Sequence, residues 1–141
     1  MKGWDYRKRW IDERNYPIWI VDNQLRVVHL NQPAGRLLGV QPWEAVGKDV
    51  TFLIQPLLAK SRKMSRIAAN TFQNQYFKVL RGKSFEWKTT LTVEREVTNK
   101  FYEKEKQSVG FDFQVQREIG RETGDGTRTY LTEAKNTAQS T

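Results

Sequence analysis

The chain reads Pro17-Ile-Trp-Ile-Val-Asp-Asn-Gln-Leu-Arg-Val-Val-His-Leu-Asn31 and continues directly with Gln32-Pro-Ala-Gly-Arg-Leu-Leu-Gly39. Two apolar stretches, residues 18–21 and 27–30, flank a short polar turn in the first part of this segment. Apolar runs of strand length on either side of such a turn are typical of a β-hairpin whose strands lie in a core. The segment therefore predicts that the fold begins with a hairpin.

A short helix is predicted immediately after this hairpin. Asn31 stands where a helix N-cap belongs, and Pro33 is tolerated only in a first turn. Leu37 and Leu38 follow, and Gly39 is a typical stop signal. The predicted order is hairpin, cap, short helix and stop.

This order resembles the start of a PAS domain, in which an aspartate ends the first strand and an asparagine follows nine residues later. The residues that match this part and the small-x-x-Leu-Leu-Gly pattern after it are Asp22, Asn31, Ala34, Leu37, Leu38 and Gly39. The next element, E-x-x-G-K, is matched by Glu44, Gly47 and Lys48, whereas Leu25 stands where the family commonly has glycine. The resemblance implies an α+β fold, a five-stranded antiparallel sheet with helices packed on one face.

The second half of the chain agrees with this arrangement on its own periodicity. Residues 57–80 predict one long amphipathic helix, whose inward stripe includes Ile67, Ala68, Phe72, Tyr76 and Val79. Alternating apolar residues predict strands over 85–94 and 109–119, and a shorter strand follows over 127–132. The charged connection from Glu94 to Gln107 either extends two strands as a protruding hairpin with its turn near Asn99, or is mobile. A conical NTF2-like fold is the alternative, but that class normally opens with helices.

The length of 141 residues fits one domain. We expect a flanking helix within residues 1–15, one PAS-like domain over 16–134, and a flexible polar tail over 135–141. Trp4 and Ile11 are seven residues apart and share one side of the flanking helix, which makes them candidate dimer contacts. The alternative is that this helix only covers its own sheet.

Several kinds of chemistry are excluded or disfavoured. The chain has no cysteine, which excludes disulfides, cysteine-ligated metals and the flavin–cysteine photoadduct of light-sensing LOV domains. His29 is the only histidine, and the long helix offers no axial ligand, so haem is disfavoured and the identity of any cofactor stays unknown. Neither a nucleophile elbow nor a phosphate-binding glycine loop is present. We therefore expect no enzymatic activity.

A ligand pocket is a further possibility, because aromatic residues are predicted on the inner sheet face and on the long helix. The candidate lining residues are His29, Asn31, Phe72, Trp87 and Phe113. These side chains could enclose a small apolar ligand, or they could pack as a closed core, and the closed core is favoured.

The formal net charge of +8 is concentrated in one segment. No acidic residue occurs between Thr51 and Phe85, a stretch that carries seven lysines and arginines. Arg62, Lys63 and Arg66 are therefore a candidate surface for a partner or a polyanion. Nucleic-acid binding through the Lys60–Lys83 segment is the alternative to the function that the PAS resemblance implies.

That function is a stand-alone sensory and protein-interaction module, which acts on a protein partner or as a homodimer, with or without a small ligand. The expectation that it stands alone comes from the sequence, in which no output domain follows the last strand. Charged residues interrupt every apolar stretch, so no membrane span is expected, and the amino terminus lacks the apolar region of a signal peptide. A cytoplasmic location is expected.

Overall fold

The computed structural model describes residues 2–61, 66–81, 86–122 and 128–137. Its helices are α1 (Lys2–Asp12), α2 (Gln32–Leu38), α3 (Pro42–Ala45), α4 (Val50–Ala59) and α5 (Arg66–Leu80). Its strands are β1 (Ile18–Asp22), β2 (Val27–Leu30), β3 (Glu86–Thr98), β4 (Lys104–Glu122) and β5 (Arg128–Asn136). None of the helices in these ranges is long and apolar enough to cross a bilayer.

The five strands form one antiparallel sheet in the order β2-β1-β5-β4-β3, which confirms the predicted sheet. The hairpin of β1 and β2 lies at one edge, and β5 returns to pair with β1 in the middle. The last strand is longer than predicted and reaches Asn136, inside the range expected to be a flexible tail.

A two-stranded ribbon extends from the other edge of the sheet. β3 pairs with β4 from Glu86 to Thr98, whereas β5 pairs with β4 only from Phe111 onward. The side chain of Asn99 closes the turn, because its Oδ1 accepts hydrogen bonds from the backbone N–H groups of Phe101 at 2.8 Å and Glu103 at 3.0 Å. The charged connection is therefore a protruding hairpin with its turn at Asn99, the first of the two predicted alternatives.

Helices pack on both faces of the sheet. Helices α2 to α5 cover the inner face, where the main core includes Trp19, Leu57, Tyr76 and Phe113. Helix α1 covers part of the outer face, where a second cluster is made of Ile11, Ile18, Ile20 and Leu131. The arrangement of α2 to α5 on one face agrees with the predicted fold class, and α1 adds a cover on the opposite face.

The prediction of one long helix from Leu57 was wrong. Leu57 and Leu58 belong to α4, which continues through Pro56 because these leucines and Ile54 are anchored in the core. After α4, the carbonyl of Lys60 accepts the N–H of Glu94 at 2.9 Å, which directs the chain toward β3 instead of along a helix.

The predicted inward stripe of α5 is correct for Phe72, Tyr76 and Val79, which are buried. It was wrong for Ile67, which is 79% exposed, and for Ala68. Ile67 precedes Phe72 by five residues, which places it about 140° around the helix from the buried side.

Candidate functional site

Three of the predicted pocket residues, Phe72, Trp87 and Phe113, meet between α5 and the sheet. The ring centroid of Phe72 lies 4.9 Å from that of Trp87 and 5.0 Å from that of Phe113. The rings of Trp19 and Tyr76 extend the cluster, with centroids 5.9 Å and 5.6 Å from Phe113. These tilted and edge-on contacts are the packing that aromatic rings prefer. The chain's own aromatic side chains therefore fill this part of the interior.

The hydroxyl group of Tyr76 makes buried polar contacts beside this aromatic cluster. Trp19 Nε1 donates a hydrogen bond to the Tyr76 hydroxyl at 3.0 Å, and that hydroxyl is 2.7 Å from Thr132 Oγ1. Burial raises the pKa of the Tyr76 hydroxyl well above its ordinary value, so it stays protonated. The sequence prediction did not include this hydrogen-bond network. It could have been suspected, because the polar groups of buried Trp and Tyr side chains usually find hydrogen-bond partners.

The amide groups of Asn31 are all engaged with the chain's own backbone. Its Oδ1 accepts the N–H groups of Ile18 at 3.1 Å and Ala34 at 3.0 Å, and the second bond confirms the predicted N-cap. Its Nδ2 donates to the carbonyls of Ile11 at 3.0 Å and Tyr16 at 2.9 Å. The side chain is 1% exposed and joins α1, β1 and α2.

His29 lies away from the aromatic cluster, on the outer face of the sheet. The sheet register pairs it with Ile20, which packs under α1, and directly opposed residues share a face. Its Nε2 is 2.8 Å from Asp12 Oδ1 at the end of α1. His29 was predicted as a pocket residue, but the register of β1 and β2 shifts directly after the pair of Ile20 and His29. The alternation of the sequence does not reveal this shift, which changes the face on which His29 lies.

A cavity that the sequence prediction missed lies at one end of the inner sheet face. This end cavity, of about 360 Å³, is formed by α2, by residues 15–17 before β1, by the end of α4, by β3 and β4 at the base of the ribbon, and by the last residue of β5. The lining residues that matter for its chemistry are Arg36, Lys60, Val93, Glu94, Val109 and Phe111. No local pattern predicts it, because the walls come from segments far apart in sequence.

Solved structures share this arrangement across nearly the whole chain. A LOV protein from Rhodobacter sphaeroides has a TM-score of 0.56 and 17% identity, covering 97% of this chain and 68% of its own. The PAS domain of a Colwellia psychrerythraea protein has a TM-score of 0.58 and 12% identity, covering 97% and 98% of the two chains. The PAS domain of BvgS from Bordetella pertussis has a TM-score of 0.56 and 12% identity, covering 96% and 87%.

The chain has the PAS fold. The resemblance first seen in the hairpin and cap therefore extends to the three later strands and to the helices between. Because the sequence identities are only 12–17%, these comparisons show a shared fold and nothing more. No family model matches the sequence, and no curated protein matches it either.

The flanking helix of this PAS fold buries one of its two predicted dimer contacts, and the other stays a prediction. Ile11 is fully buried against the chain's own sheet, and the side chain of Trp4 lies outside the described part of the structure. Among the described side chains of α1, Tyr6 is 68% exposed and Trp10 is 38% exposed. Arg9 lies over the Tyr6 ring at 5.7 Å, and the guanidinium of Arg14 lies over the Trp10 ring at 4.8 Å.

The predicted polyanion surface falls mostly outside the described residues. Arg62 and Lys63 are outside them, and Arg66 is described only as the first backbone position of α5. Lys60 is described, is exposed, and lies at the carboxyl end of α4. The polyanion surface stays a prediction from the sequence.

Proposed function

We propose that this PAS domain is a sensory and protein-interaction module in signal transduction, and that it contacts a second copy of itself through α1. The observation that carries the proposal is the exposed aromatic surface of Tyr6 and Trp10, flanked by Arg9 and Arg14. Aromatic residues and arginine are the side chains most enriched at the energetic centres of protein interfaces.

The attachment of α1 supports a signalling role for this surface. The last turn of α1 is joined to the domain by the bond from Asn31 Nδ2 to the Ile11 carbonyl and by the contact of Asp12 with His29. Both contacts reach the β2–α2 region of the PAS core. A rearrangement in that region would therefore alter the position of α1, and with it the surface offered to a second copy.

We expect contact without catalysis. The only histidine of the chain is engaged with Asp12 beneath α1, and the sequence contains no cysteine. Nucleic-acid binding through Arg62, Lys63 and Arg66 remains a hypothesis from the sequence, and a cytoplasmic location remains an expectation.

The test is self-association measured by sedimentation velocity over a range of protein concentrations. The variant Tyr6→Ala/Trp10→Ala removes both exposed rings of α1. A ring at the centre of an interface typically contributes about 2 kcal/mol, which is about 30-fold in Kd. Loss of both rings should therefore raise the dimer Kd by at least about 30-fold.

A matched control removes two exposed aromatic residues elsewhere. Trp43 and Phe101 are 76% and 67% exposed, and lie on α3 and in the ribbon turn. The variant Trp43→Ala/Phe101→Ala should dimerise like the wild type. A monomeric wild type, or an equal effect of the two double variants, would contradict the proposal.

A further inference from the structure

The end cavity differs from the interior of the aromatic cluster. The part of its apolar wall that lies at the base of the ribbon consists of Val93, Val109 and Phe111. Phe72 and Tyr76 of α5 are not among its lining residues. The end cavity and the aromatic cluster are therefore two different places in the fold. The cluster is filled by side chains, whereas the cavity is open space bounded by other helices.

Two cations stand beside this apolar wall. Arg36 comes from α2, and Lys60 comes from the carboxyl end of α4. The only carboxylate among the described lining residues is Glu94, so positive charge is in excess there. Such an arrangement complements a molecule that carries a negative charge at one end and an apolar body at the other.

The backbone positions that carry the two cations are anchored. The Asn31 side chain caps the first turn of α2, and Gly39 ends that helix in a left-handed conformation with φ 75°. The Lys60 carbonyl accepts the Glu94 N–H at 2.9 Å, which attaches the end of α4 to β3. The side chains of Arg36 and Lys60 are exposed, so their backbone positions are set before binding while their charged ends are free to adjust to a ligand.

We propose that the end cavity binds a small organic anion with an apolar body. The anionic group pairs with Arg36 and Lys60, while the body packs on Val109 and Phe111. The volume of about 360 Å³ lies within the range of small-molecule sites. A planar guanidinium suits a carboxylate or a sulfonate, because it offers two parallel N–H donors.

The position of the cavity connects it to α1. Asn15, Tyr16 and Pro17 form part of the wall, and these residues link α1 to β1. An occupant therefore contacts the segment that carries α1. As a sensing step this inference rests on the proposed function, whereas binding itself does not depend on self-association.

The experiment titrates 2-naphthoate into ¹⁵N-labelled protein and follows the amide resonances by NMR. The neutral analogue 2-naphthylmethanol, which has the same ring system without the charge, is titrated in parallel. We expect saturable shifts at Val93, Val109 and Phe111, and an affinity for the neutral analogue at least about fivefold lower. That difference corresponds to about 1 kcal/mol.

Charge removal tests the two cations separately. Arg36→Gln and Lys60→Gln should each weaken 2-naphthoate binding by about two- to fivefold while leaving the neutral analogue unaffected, in line with an exposed ion pair. Lys48→Gln is the matched control, because Lys48 is exposed and does not line the cavity. Unchanged amide spectra away from the cavity show that each variant is folded.

Three results would overturn the inference. They are the absence of saturable shifts at millimolar 2-naphthoate, equal binding of the neutral analogue, and shifts centred on Phe72 and Trp87. If the wild type dimerises through α1 but 2-naphthoate does not bind, only this inference fails. If 2-naphthoate binds to a protein that stays monomeric, only the proposed contact fails.

Discussion

Replacing Asn31 tests how firmly the flanking helix is joined to the PAS core. The side chain makes four hydrogen bonds from a site that is 1% exposed. Asn31→Ala removes all four at once and leaves the N–H groups of Ile18 and Ala34 and the carbonyls of Ile11 and Tyr16 without this partner.

The expected loss can be worked from these contacts. A buried hydrogen bond contributes about 0.5–1.5 kcal/mol net, and a buried group left unpaired costs more. Four bonds, one of them an N-cap, therefore predict that Asn31→Ala lowers the free energy of unfolding by about 3–5 kcal/mol. This is a large share of the 5–15 kcal/mol typical of a domain.

The variant Asn31→Asp tests the accepting oxygen and the donating nitrogen of the amide separately. The introduced carboxylate keeps the accepting bonds to Ile18 and Ala34, but it directs an oxygen at the carbonyls of Ile11 and Tyr16. Burial and these oxygens should raise the pKa of the introduced carboxyl above its unfolded value of about 3.9. The variant should therefore be most stable, relative to wild type, below pH 4, and lose that stability as the pH rises.

The assay is urea unfolding followed by tryptophan fluorescence and far-ultraviolet circular dichroism at several pH values. Asn99→Ala is the control, because Asn99 accepts two backbone hydrogen bonds at an exposed turn, where their loss should cost about 1 kcal/mol or less. Limited proteolysis should cut Asn31→Ala faster between residues 13 and 16. If Asn31→Ala costs no more than Asn99→Ala, the reasoning is refuted.

Three further substitutions test the interior and the turns by the same unfolding assay. Tyr76→Phe leaves the Trp19 N–H and the Thr132 hydroxyl without their shared partner and should cost about 1–3 kcal/mol. It should also remove a loss of stability above about pH 10, because the folded-state pKa of Tyr76 is raised. Gly35→Ala would bring a Cβ within 2.7 Å of a backbone carbonyl oxygen, so we expect a loss of about 1–3 kcal/mol. Leu25→Gly should change stability by less than about 1 kcal/mol, because relief of the φ of 67° offsets the lost packing. Losses outside these ranges would contradict the respective arguments.

The parts of the fold that depend on local spacing were predictable from the sequence. The turn between β1 and β2, the Asn31 cap and the Gly39 stop are each set by a few neighbouring residues. Strand alternation identified β3 and β4, because polar side chains cover the outer face of these strands while apolar ones face the core. The sequence does not decide between a hairpin ribbon and a mobile connection over residues 94–107, because charged strands without a buried face lack a strong periodic signal.

Features that depend on distant segments were not predictable. The end of α4 is set by the bond between the Lys60 carbonyl and the Glu94 N–H, and no spacing near Lys60 contains that information. The face on which His29 lies depends on an irregularity between β1 and β2. The end cavity requires the relative placement of α2, α4 and the base of the ribbon, so it became visible only in three dimensions.

The motif asparagine shows how one residue can serve local and distant structure at once. The sequence pattern accounts for the half of the Asn31 amide that caps α2, because the Ala34 N–H is three residues away. The other half binds carbonyls fifteen and twenty residues upstream, at Tyr16 and Ile11. Tyr16 also lines the end cavity, and Ile11 fixes the buried side of α1. A displacement of residues 15–17 by a bound anion would therefore strain the same amide that positions the exposed aromatic surface. Under the two proposals above, occupancy of the cavity and self-association through α1 are therefore expected to be coupled through Asn31.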